Sequence, residues 1–128
     1  MRKDQKMAAD ILLISAIDDD ESVRQSVVEL LATFGYRVHA FPSVSNFLLS
    51  DELRSYSCIV SDVKMPDMTG FDLIDALRER NIQTPVVLIT AFRDEKAVAR
   101  AKSAGIPILT KPFKAHDLVA CIEKTSPG

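Results

Sequence analysis

A doubly wound α/β domain, with a parallel sheet covered by helices on both faces, is the fold class the sequence predicts. Three observations carry this. Short apolar runs alternate five times with segments whose apolar residues recur at helical spacing, the pattern of successive βα units on a parallel sheet. The first run, ILLISAI (11–17), is continuously apolar, as expected of a strand buried on both faces. The length, 128 residues, suits one domain with one sheet.

The first strand is ILLISAI (11–17). After DDDES, Val23, Val27, Leu30, Leu31 and Phe34 recur at helical spacing, and Gly35 supplies a stop. Asp20 or Ser22 is the expected N-cap. YRVHAF (36–41) is a shorter strand closed by Pro42, and Ser43 caps a brief helix carrying Val44, Phe47 and Leu48. SCIVS (57–61) is the third strand, and Phe71, Ile74 and Leu77 mark the helix after it. PVVLIT (85–90) is the fourth, with Pro85 at the first position, where a missing N–H is tolerated. Asp94 is the N-cap expected for EKAVARAKSAG, whose Gly105 ends it. PILT (107–110) is the last and weakest strand, followed by a helix over 116–124. Residues 1–9 and 125–128 are expected to be tails around a domain spanning 10–124.

Composition narrows the function. A chain that is 47% hydrophobic and 27% charged folds rather than staying disordered. A net charge of −2 makes no electrostatic case for nucleic acid or an anionic membrane. No apolar run is long enough to span a bilayer. MRKDQKMAAD has basic residues but no apolar stretch or cleavage pattern behind them, so it is not expected to act as a secretory signal. Cys58 and Cys121 stand far apart and form no C-x-x-C pair. Both read as inert thiols among apolar residues, which fits a reducing, cytoplasmic setting. His39 and His116 lack partners at metal-ligand spacing and read as surface residues.

The chemistry is concentrated at the C-terminal ends of the strands. The first ends in Asp18, Asp19 and Asp20, the third in Asp62, the fourth in Thr90, the fifth in Lys111-Pro112. In a parallel sheet all these ends share one edge, where such folds place their sites. Each residue alone has an ordinary explanation: a turn acid, a helix cap, a strand-end hydroxyl, a surface lysine. Together they suit phosphoryl transfer to a carboxylate. Asp62 can act as nucleophile and form an aspartyl-phosphate. Clustered acids favour a hard cation such as Mg2+. A lysine and a hydroxyl can each donate to phosphoryl oxygens.

IDDDESVR, SDVKMPDMTG, LITA and TKPF, in that order and spacing, resemble the receiver domains of two-component response regulators, the CheY-like superfamily. The resemblance covers about 11–124. It implies a flavodoxin-like (βα)5 fold with strand order 2-1-3-4-5. By position Asp62 resembles the phosphoacceptor, and Asp18 and Asp19 the acidic pair that binds Mg2+ with Asp62 and the backbone carbonyl of Lys64. Thr90 resembles the switch hydroxyl and Lys111 the phosphoryl-contacting lysine, with a cis Lys111–Pro112 bond. The implied donor is a sensor histidine kinase. The 93–109 region and last helix would serve a homodimer or effector contact. The motif style is similar to receivers of FixJ/NarL-type transcriptional regulators.

Two positions depart from or elaborate the pattern. Three residues before Lys111, where many receivers carry a rotating aromatic, stands Ile108, which is stiff at χ1 and cannot flip as a ring. Lys64 and Phe92, two residues after Asp62 and Thr90, either shield the phosphoryl group from water or point outward and do little. A phosphohydrolase of the haloacid-dehalogenase type needs an acid where Lys64 stands. The full set of site residues argues against an interaction module that never takes phosphate, an alternative that Ile108 keeps open.

Overall fold

A computed structural model describes residues 12–125. The expected tail over 1–9 and the last three residues of the expected C-terminal tail lie outside them. The strands are β1 (Leu13–Ile17), β2 (Arg37–Phe41), β3 (Cys58–Asp62), β4 (Val86–Thr90) and β5 (Ile108–Thr110). All neighbours pair in parallel, in the order β2-β1-β3-β4-β5. The helices are α1 (Glu21–Thr33), α2 (Val44–Leu48), α3 (Gly70–Glu79), α4 (Glu95–Ala104) and α5 (Ala115–Thr125).

Strand parity sorts the core into two layers. Cys58 and Val60 of β3 and Val87 and Ile89 of β4 join Val27 and Leu31 of α1 and Leu118, Val119 and Ile122 of α5. Their alternates, Ile59, Val86 and Leu88, face Phe47 of α2, Leu73, Ile74 and Leu77 of α3, and Ala97 and Ala101 of α4. The period of two puts successive side chains on opposite faces, so continuous apolar strands feed both layers. Small alanines on α4 let that helix lie close to the sheet. On its outer side the Arg100 guanidinium stacks 4.1 Å from the centroid of the Phe71 ring.

The caps follow local chemistry. Asp20, rather than Ser22, caps α1 by accepting from Val23 N–H at 3.1 Å. Ser43 caps α2, and Asp94 caps α4. Thr69 and Asp72 form a reciprocal capping box at α3, where the sequence shows Thr and Asp three residues apart. Gly105 ends α4 at φ +71, a left-handed conformation suited to glycine.

Several expectations change. Phe34 continues the helical spacing but follows the end of α1 and is 48% exposed. A short 3₁₀ turn, Leu53–Ser55, precedes β3. Thr125, expected in the tail, is the last residue of α5, and its hydroxyl donates to the Ile122 carbonyl. His39 is not a free surface residue: its Nδ1 lies 3.0 Å from the Tyr56 hydroxyl and 3.6 Å from Glu52. His116 is exposed, as expected. Cys58 is buried, which pushes its thiol up to about 11 and keeps it protonated and unreactive. Cys121 is only partly buried. Among the described residues no helix is long and apolar enough to cross a membrane.

Candidate functional site

The chain leaves β1 toward β2 on one side and later enters β3 on the other, so the strand order reverses between β1 and β3. Crevices at such switch points, beyond the carboxyl ends of the strands, are natural binding sites. Register aligns them here: Ile17 pairs with Ser61, Asp62 with Ile89, and Thr90 with Thr110.

Asp18 follows β1 directly and is buried. Its Oδ1 accepts from the Asp20 N–H at 2.9 Å, and its carbonyl accepts from Arg24 Nη1 at 2.7 Å. The first turn of α1 thus holds the acidic loop in place. Asp62 ends β3 with its side chain 14% exposed. One carboxylate oxygen each from Asp18, Asp19 and Asp62 lie within 4.8 Å of one another. Lys111 Nζ approaches from β5, 3.9 Å from Asp18 Oδ2 and 4.0 Å from Asp62 Oδ2. These are ion-pair distances, longer than hydrogen bonds. The Lys111–Pro112 bond is cis.

Burial dominates the electrostatics. It pushes the Asp62 carboxyl up to about 6; Lys111 opposes the shift and Asp18 adds to it. Asp18 is also raised, chiefly by burial, against the opposing pull of the Asp20 N–H and Lys111. Asp62 therefore binds a proton more tightly than a free carboxylate yet is mostly ionised at neutral pH. A set of oxygen ligands with one flanking ammonium can hold a hard divalent cation beside a nucleophilic carboxylate.

The loop after Asp62 is packed against that strand end. Gly70 N–H donates to the Val63 carbonyl at 2.9 Å. A Cβ on Gly70 would stand 2.6 Å from Leu88 Cδ2 and 2.9 Å from the Asp62 carbonyl oxygen. Only glycine permits this approach. Asp67, farther along the loop, accepts a hydrogen bond from the Ser45 hydroxyl of α2.

The other predicted residues are placed differently. Thr90 is buried at the end of β4, but its hydroxyl donates to Asp94 Oδ2 at 2.9 Å. The Lys64 side chain is 77% exposed and reaches the same oxygen at 3.8 Å. Phe92 is 66% exposed, with the Arg93 guanidinium 5.2 Å from its ring centroid. Ile108 is half-buried, paired with Leu88 and packed against the α2–α3–α4 layer. The sequence identified Asp94 as a cap; its second bond, to Thr90, has no local signature beyond the four-residue spacing.

Residues 14–123 match the response regulator receiver domain family. The response regulator protein TmoT of Ectopseudomonas mendocina is 34% identical over 111 residues, covering 86% of this chain and 50% of that protein. The transcriptional regulatory protein FixJ of Bradyrhizobium diazoefficiens is 34% identical over 111 residues, 86% of this chain and 54% of FixJ. The chain spans about half the length of these curated relatives. Among solved structures, the chemotaxis protein CheY4 of Vibrio cholerae superposes with a TM-score of 0.78 at 29% identity, covering 90% of this chain and 98% of CheY4. The strand order, the acidic edge and these likenesses agree: the chain belongs to the receiver domains of two-component response regulators.

Proposed function

We propose that Asp62 accepts a phosphoryl group from a sensor histidine kinase, with Mg2+ bound, and that the modification switches the domain and its partner contacts. The observation that carries this reading is the meeting of three carboxylates within 4.8 Å with Lys111 Nζ at 4.0 Å from Asp62. An oxygen-only donor set fits magnesium. Asp18, Asp19, Asp62 and the Lys64 backbone carbonyl would hold it. When bound, the ion would offset the clustered carboxylate charge and the charge developing on the transferred group.

An ionised Asp62 oxygen attacks phosphorus of the phosphohistidine, a P–O bond forms, the P–N bond breaks and the imidazole leaves. Burial raises the proton affinity of Asp62 in the metal-free domain; bound Mg2+ would oppose that rise and favour the ionised carboxylate that attacks. Lys111 then pairs with a phosphoryl oxygen, and the Thr90 hydroxyl donates to another. Reversing a population from 1:99 to 99:1 requires about 5.5 kcal/mol of differential stabilisation, on the scale of two charge-assisted hydrogen bonds with their pairing energy.

In this reading the receiver unit occupies 10–124, works in the cytoplasm and catalyses only its own aspartyl phosphorylation and dephosphorylation. It binds neither nucleic acid nor membrane itself. The 93–109 region and α5 supply a homodimer or effector contact. A phosphohydrolase role is disfavoured by Lys64, which stands where a general acid is needed and is paired with Asp94.

The test is intact-mass measurement after incubation with Mg2+ and acetyl phosphate, alongside Asp62→Ala. One magnesium-dependent phosphoryl group on the wild type and none on the variant is expected. No adduct on the wild type, together with no binding of beryllofluoride, would refute the reading in favour of a pure interaction module.

A further inference from the structure

The Thr90 hydroxyl carries a single proton, and Asp94 Oδ2 accepts it at 2.9 Å. Thr90 is 1% exposed, so water is a poor substitute for that acceptor. The other Asp94 oxygen, Oδ1, accepts from the Ala97 N–H at 3.2 Å and caps α4. Lys64 Nζ lies 3.8 Å from Oδ2. One carboxylate therefore ties together the end of β4, the start of α4 and the residue two positions beyond Asp62.

We infer that Asp94 is a positioning residue that competes with a phosphoryl group on Asp62 for the Thr90 hydroxyl. The inference rests on the phosphoacceptor reading of Asp62. A hydroxyl that donates to Asp94 cannot donate to a phosphoryl oxygen at the same time, so Thr90 must give up one acceptor to gain the other. Its backbone need not move, because the Thr90 carbonyl is held by the Lys111 N–H at 2.9 Å. Rotation about χ1 redirects the hydroxyl's hydrogen bond to a new acceptor, and the proton stays on Thr90. Asp94 keeps its Ala97 cap and its Lys64 counter-ion, and the tie between β4 and the start of α4 is lost. This route to α4 does not involve position 108, where an isoleucine stands.

Asp94→Asn isolates the effect. Asparagine is as good an N-cap as aspartate, so its side-chain oxygen can keep Ala97, while its NH2 group cannot accept from Thr90. Binding of beryllofluoride at saturating Mg2+ is measured by calorimetry on the wild type, Asp94→Asn, Thr90→Ala and the double variant. Asp94→Asn is expected to bind about tenfold more tightly than the wild type, the scale of one competing charge-assisted hydrogen bond. In the Thr90→Ala background the same change is expected to have no effect. An equal gain in both backgrounds would overturn the inference, because it would be a charge effect that does not involve Thr90. Binding by the wild type with no gain in Asp94→Asn overturns this inference alone. No binding by the wild type overturns the Asp62 reading and this inference with it.

Discussion

Asp62→Asn is expected to stabilise the metal-free domain at pH 7.5. Burial raises the Asp62 carboxyl from 3.8 to about 6 in the folded chain, so the folded state binds this proton more tightly than the unfolded state. The resulting stabilisation is complete below the unfolded value, near 3.8, and is lost as pH rises through 6. Above pH 7 the wild type folds around a desolvated charge. Moving the carboxyl from 3.8 to about 6 corresponds to about 3 kcal/mol, and the side chain is only 14% exposed, so solvent screening takes little of it. Asparagine places a neutral group of the same shape there. At about 2.1 cal/mol/K per residue, a chain of 128 residues gains about 10 °C in Tm from 3 kcal/mol. Urea unfolding followed by circular dichroism, in EDTA, reads the difference directly. At pH 4 it should shrink below ~1 kcal/mol, because the folded wild type is then protonated at Asp62. Added Mg2+ should stabilise the wild type more than Asp62→Asn, since binding favours the folded state that holds the full carboxylate set. Equal unfolding midpoints at pH 7.5, or a gap that widens on acidification, would refute the reasoning.

Two further changes probe the scaffold. Gly70→Ala should destabilise the domain by about 1–3 kcal/mol, because its Cβ would meet Leu88 Cδ2 at 2.6 Å and the Asp62 carbonyl at 2.9 Å. Leu88 can rotate, but the carbonyl belongs to the backbone that carries the nucleophile, so the rate of labelling by acetyl phosphate should fall as well. Unchanged stability and labelling would show that the strand end yields without cost. Ser15→Ala tests the opposite effect. Ser15 is fully buried on β1, and among the described residues its hydroxyl has no hydrogen-bond partner. Alanine should be neutral or stabilise by up to ~1 kcal/mol in denaturant unfolding, and a loss of more than that would reveal a partner for the hydroxyl.

The order and type of the main elements, and the residues at each strand end, were legible in the amino-acid sequence alone. Those features depend on neighbours within a few positions. Continuous apolar runs mark strands covered twice, and Ser43, Asp94 and Gly105 mark helix ends because capping is chemistry along the chain. The resemblance carried by four short motifs then implied a role for each residue on that edge. Tertiary packing settled the points that periodicity leaves open. Phe34 keeps the helical spacing but falls beyond the layer that could cover it. His39 finds Tyr56 and Glu52 from separate segments. The raised proton affinity of Asp62 comes from burial by the assembled sheet edge, with Asp18 and Lys111 arriving from other strands. Asp94 read locally is a cap, and only the packed turn after β4 brings the Thr90 hydroxyl to its second oxygen. Covalent neighbours set conformation, whereas desolvation and competition for a proton depend on which surfaces the fold presses together.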